Sequence, residues 1–98
     1  MKKTSKKKMD VAVGEFLKSK RLEAGLSQVH VTEKLGYTSP QHLSNIERGV
    51  SPVGMTTMKQ LMRIYDMDAT DMIDFMLDEH KSYLQREFAL KKKSNSRN

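Results

Sequence analysis

Ninety-eight residues are enough for one modest hydrophobic core and too few for two. Hydrophobic residues at 37% and charged residues at 31%, with no apolar run near the eighteen or so residues that cross a bilayer, argue against a membrane protein. The absence of cysteine excludes disulfides and thiolate metal sites and suits a reducing cytoplasm.

The net charge of +6 matters by location rather than in total. Lys2, Lys3, Lys6, Lys7 and Lys8 lie in residues 1–9, and Lys91, Lys92, Lys93 and Arg97 in residues 91–98, with no acid in either block. The interior is therefore slightly acidic on balance, and within it residues 10–65 are mildly basic while residues 66–90 are clearly acidic. Both blocks read as disordered basic tails able to add nonspecific attraction to phosphate. The first has no apolar stretch behind it, so no secretory signal is expected.

From Met9 onward, apolar residues recur at helical spacing, and no alternating strand-like run appears, which predicts an all-α fold. Val13, Phe16, Leu17 and Ala24 share one face of a first helix that Gly25 closes. Ser27 suits the N-cap of a short second helix, with Val31 and Leu35 inward and Gly36 at its end. Its β-branched residues are poor helix formers, so it depends on tertiary packing.

Tyr37-Thr38-Ser39-Pro40 starts the third helix, with Ser39 as cap and Pro40 in the first helical position, where a missing amide hydrogen does no harm. The helix is predicted over 40–48, ending at Gly49. Only Leu43 and Ile46 are apolar, which leaves Gln41, His42, Ser44, Asn45 and Arg48 polar and mostly outward. Amide and imidazole groups pair with base edges, and the glutamate and lysine of an ordinary solvent face are scarce.

Met55, Met58, Leu61, Met62 and Tyr65 predict a fourth helix, in which methionine serves as flexible core filler. Asp68 and Asp71 resemble a capping box for a fifth. That helix carries Met72, Ile73, Phe75, Met76, Leu77, His80, Tyr83, Leu84 and Phe88 to about Leu90. His30, His42 and His80 fit no metal-ligand spacing, and neither a nucleophile elbow nor a phosphate-cradling glycine loop occurs. No enzyme, metal or cofactor is expected.

The segments Leu17-Lys18-Ser19-Lys20-Arg21-Leu22-Glu23-Ala24-Gly25-Leu26-Ser27-Gln28, Leu35-Gly36 and Leu43-Ser44-Asn45-Ile46-Glu47-Arg48-Gly49 together resemble the Cro/C1-type (XRE) repressor family over roughly residues 10–78. The resemblance implies a five-helix lambda-repressor-like domain whose second and third helices form a helix-turn-helix, which commonly binds duplex DNA as a dimer and reads the major groove. Carried over by position, Gln41 and Asn45 would read bases, with His42 and Ser39 as lesser candidates. Gln28, Ser27, Ser44 and Arg48 would meet phosphate, with Gln28 also helping to fix a recognition-helix side chain. Arg21 and Glu47 match a buried salt bridge between the first and third helices.

Three departures bear on the carry-over. The Gly36-to-Gly49 interval is one residue longer than the commonest form, and Pro40 stands where a base-reading side chain often sits. Thr32 replaces a small alanine, its hydroxyl expected to bond the Gln28 carbonyl.

The organisation expected is residues 10–78 as the helix-turn-helix domain and 79–90 as an extension of its last helix. Phe75, Tyr83, Leu84 and Phe88 on that helix would make a dimer or partner contact, unless the helix folds back on its own domain. Two functions fit: a sequence-specific DNA-binding transcriptional regulator, expected to be a homodimeric repressor in the bacterial nucleoid, or an antitoxin or antiactivator that grips a protein partner through the last helix.

Overall fold

The computed structural model describes the backbone of residues 2–95 and the side chains of residues 8–89. Five helices run in order, α1 (Lys2–Glu23), α2 (Gln28–Leu35), α3 (Gln41–Glu47), α4 (Met55–Ile64) and α5 (Ala69–Asn95), and no strand occurs among the described residues. This is the all-α, five-helix architecture that the apolar spacing predicts.

One terminator ends four of these helices. An amide beyond the helix reaches back five residues, from Leu26 N to the Arg21 carbonyl at 3.1 Å, Tyr37 N to Thr32 at 3.1 Å, Val50 N to Asn45 at 2.9 Å and Met67 N to Met62 at 2.8 Å. The motif requires a left-handed residue just before that amide. Glycine fills the position after α1, α2 and α3, while Asp66, with φ 54, fills it after α4. Aspartate tolerates this region better than most side chains, but it gives no glycine-like signal in the sequence.

α1 packs on α3 and α5, and α2 packs on α3 and α4. Leu17, Val31, Leu43, Ile46 and Leu61 are fully buried where these helices meet, and Val13, Leu35, Met58, Tyr65 and Met72 complete the core. Burial of a side chain of this size stabilises by about 1.5–3 kcal/mol. The short α2 and α3, too brief to hold themselves in water, are thus held by Val31 and Leu35 on one and Leu43 and Ile46 on the other.

α1 begins at Lys2 and α5 continues to Asn95, so both helices run into the lysine-rich blocks expected as tails. Lysine is a fair helix former, and extending an existing helix is far cheaper than nucleating one. Residues 1 and 96–98 of those blocks lie outside the described residues. Ala24 is exposed because α1 has already ended at Glu23. Met55, expected inward, is 67% exposed at the rim of the first turn of α4, and Val53 packs against the core instead.

Thr32 and Tyr65 are the polar surprises of the interior. Thr32 Oγ1 does not bond the Gln28 carbonyl; it and the Tyr65 hydroxyl are buried without hydrogen-bond partners. Such a group carries a desolvation penalty of about 1–3 kcal/mol. Thr32→Val and Tyr65→Phe should therefore each stabilise the protein by about 1 kcal/mol, read as a melting temperature raised by about 4–8 °C.

Tyr65 adds a pH signature. Burial, and then the charge of Glu47, raise its pKa above the ordinary 10.0. The stability this neutral phenol contributes is complete below about pH 10 and is lost as the pH rises through that value, because only the unfolded chain ionises freely there. Tyr65→Phe should lose less stability than the wild type between neutral pH and pH 11. Equal alkaline losses in the two proteins would count against a buried neutral phenol.

Candidate nucleic-acid interface

The surface of interest begins at the turn between α2 and α3. Ser27 caps α2, its hydroxyl oxygen accepting from the His30 amide at 3.1 Å, which leaves the hydroxyl proton free to donate outward. α3 is one residue shorter at each end than the predicted 40–48. Pro40 is its N-cap and Arg48 its C-cap. Ser39 Oγ accepts from the Gln41 amide only at 3.4 Å, at the long limit for such a bond. Pro40, expected in the first helical position, therefore lies just before the first turn rather than in it.

Leu43 and Ile46 pin the inner edge of α3, and its other side faces out: Ser39, Gln41, His42 and Arg48 are exposed, and Ser44 and Asn45 half-buried. Of the predicted base-reading residues, Ser39, Gln41 and His42 are therefore open to solvent and Asn45 partly so, and the helix spacing brings Gln41 and Asn45 into one network with Arg48. Gln41 Nε2 donates to Asn45 Oδ1 at 2.9 Å. Arg48 donates from Nη2 to the same Asn45 oxygen at 2.7 Å and from Nε to Ser44 Oγ at 3.3 Å. His42 stands apart from these bonds, its ring meeting Tyr37 edge to face with centroids 4.8 Å apart. Tyr37 was not singled out from the sequence; its place in the turn five residues before His42 was the only signal.

Behind this surface sits the predicted buried pair. Arg21 donates to Glu47 from Nε at 2.7 Å and from Nη2 at 3.1 Å, and from Nη1 to the Leu26 carbonyl at 2.8 Å. The Glu47 hydrogen bond raises the Arg21 pKa against the opposing pull of burial. Gln28, expected against phosphate and as a prop for a recognition-helix side chain, gives its amide to Glu47 Oε1 at 2.8 Å. This contact ties the start of α2 to the end of α3, so the Gln28 amide serves the junction between the two helices.

On α5 the predicted stripe divides. Met72 is buried, and Phe75 packs against the core with its ring stacked 4.1 Å from Phe16. Phe75, named as a dimer or partner contact, thus closes its own domain in the way a helix folded back on itself would. Ile73, Leu77 and Phe88, 55%, 62% and 60% exposed, lie with half-buried Leu84 on another face at helical spacing. Tyr83 is half-buried beside them, with His80 stacked on it at 6.1 Å.

Among the described residues no group of side chains could hold a metal ion, and no helix is long and apolar enough to cross a membrane. The arrangement as a whole is that of a small helical domain displaying a short polar helix behind a capped turn. A family model described as a helix-turn-helix domain matches residues 12–74, more than half of the chain, and the chain belongs to that family. No curated protein and no solved structure gives a significant match.

Proposed function

We propose that this chain is a sequence-specific DNA-binding transcriptional regulator, acting as a repressor, that reads the major groove with α3. The observation that carries the reading is the row of exposed Gln41, His42 and Arg48 with half-buried Asn45 on a helix fixed from behind by Leu43, Ile46 and the Arg21–Glu47 pair. A helix this short with amide groups outward and a rigid inner edge suits a groove that admits one helix and offers a distinct donor and acceptor pattern at each base pair.

Ser27 and Ser44 supply hydroxyls, and Arg48 a charge, for phosphate contacts that fix orientation. The lysine blocks at the two ends add a salt-sensitive attraction that carries no sequence information. A homodimer formed through the Ile73, Leu77, Leu84 and Phe88 face of α5 would set two recognition helices for half-sites about 34 Å apart. The same apolar face is what favours the second reading, an antitoxin or antiactivator that binds a protein partner there.

Enrichment of bound sequences from random duplex DNA, followed by titration of the enriched site with wild type, Gln41→Ala and Asn45→Ala, tests the proposal. The expected result is an enriched inverted repeat and a loss of about 1–3 kcal/mol of sequence preference in each variant. Equal binding of all three proteins to every DNA would leave the protein-binding reading in its place.

A further inference from the structure

We infer that Arg48 is a positioning residue for sequence choice, acting through Asn45 to decide which base that amide can read; this rests on the regulator reading above. The family resemblance placed Arg48 among phosphate contacts, which set orientation alone. Its geometry does something more specific. Asn45 Oδ1 accepts from Gln41 Nε2 at 2.9 Å and from Arg48 Nη2 at 2.7 Å, and a carbonyl oxygen has two lone pairs. Both are occupied, so Asn45 can offer a base only its Nδ2 donors.

That polarity changes the reading expected of an asparagine. The bidentate contact of an amide with adenine needs an acceptor for N6 and a donor for N7, and the acceptor is already engaged. Guanine presents two adjacent acceptors, N7 and O6, and matches a side chain that has only donors. Gln41 differs: it gives one Nε2 hydrogen to Asn45 and keeps the other together with Oε1, the combination that adenine requires. The structure therefore assigns guanine to Asn45 and adenine to Gln41. Arg48 holds the assignment through a fork, Nε to Ser44 Oγ and Nη2 to Asn45 Oδ1, that a lysine ammonium cannot reproduce.

The test compares wild type, Arg48→Lys, Arg48→Ala and Asn45→Ala by enrichment from random duplex DNA, with titrations of the enriched sites at two salt concentrations. Asn45→Ala identifies the base pair that Asn45 reads. At that pair wild type should favour guanine, and both Arg48 variants should shift toward adenine by about tenfold in relative preference. Arg48→Lys, which keeps the charge, should do so with its salt dependence unchanged. Arg48 variants that weaken binding equally to all sequences, or that leave the guanine preference intact, overturn the inference while the regulator reading stands. A wild-type chain that enriches no sequence overturns both.

Discussion

Glu47→Ala should lower the melting temperature by at least about 10 °C, the largest effect expected of any single polar substitution in this chain. The carboxylate is almost fully covered, with side-chain exposures of 8% for Arg21 and 2% for Glu47 across a 2.7 Å contact. Removing it leaves the guanidinium buried with one remaining acceptor, the Leu26 carbonyl, and also strips the Gln28 amide of its partner. Uncompensated buried charge of this kind costs about 3–5 kcal/mol, against a total stability of about 5–15 kcal/mol for a typical domain.

The loss belongs to the stranded charge more than to the worth of the bond, and a second variant separates the two. Arg21→Met combined with Glu47→Leu removes both ions and keeps apolar volume, so it should recover most of the deficit. It should stop short of full recovery because the Leu26 carbonyl loses its donor. Thermal melts of Arg21→Met, Glu47→Leu and the double variant measure the coupling. An unchanged melting temperature in Glu47→Ala would mean that the pair is open to water.

How far the sequence disclosed this architecture depends on the kind of signal each residue carries. Gly25, Gly36 and Gly49 announced three helix ends because few other residues adopt the left-handed conformation readily, whereas Asp66 does the same work without announcing it. Leu43 and Ile46 marked the inner edge of α3 by spacing alone. The Arg21–Glu47 pair, 26 residues apart, was visible only through family resemblance, since no local pattern links such positions. Thr32 shows the opposite failure: a local rule supplied its hydroxyl with a backbone partner, but tertiary packing left it with none. On α5 the apolar positions were all legible, yet their division into Phe75 against Phe16 and Leu77 toward solvent follows from where α1 crosses. The Gln41–Asn45–Arg48 chain lay at readable spacings of four and three. Which atom of each amide it would occupy was not encoded in that spacing.

Gly14→Ala should destabilise the protein and weaken its binding to DNA, although helix propensity alone argues the reverse. In the middle of α1 the exchange would ordinarily stabilise by about 0.5–1 kcal/mol. A β-carbon built at Gly14, however, overlaps the Ile46 carbonyl oxygen and lies 2.7 Å from the Glu47 carbonyl oxygen. These are backbone atoms in the last turn of α3, so no side-chain rotation relieves the overlap. Gly49 makes the reciprocal approach, its own β-carbon position lying 2.6 Å from Val11 Cα. The two glycines thus let α1 and the end of α3 touch backbone to backbone. Overpacking of this kind costs about 1–3 kcal/mol or more and outweighs the propensity gain. Relief requires α1 to withdraw or the end of α3 to unwind. Either movement shifts Asn45 and Arg48 relative to Ser27 across the proposed groove-facing surface, where ångström-scale placement decides contact. Thermal melting and DNA titration of Gly14→Ala should therefore move together. A variant more stable than wild type and equal to it in binding would show that α1 and α3 stand farther apart than these distances state.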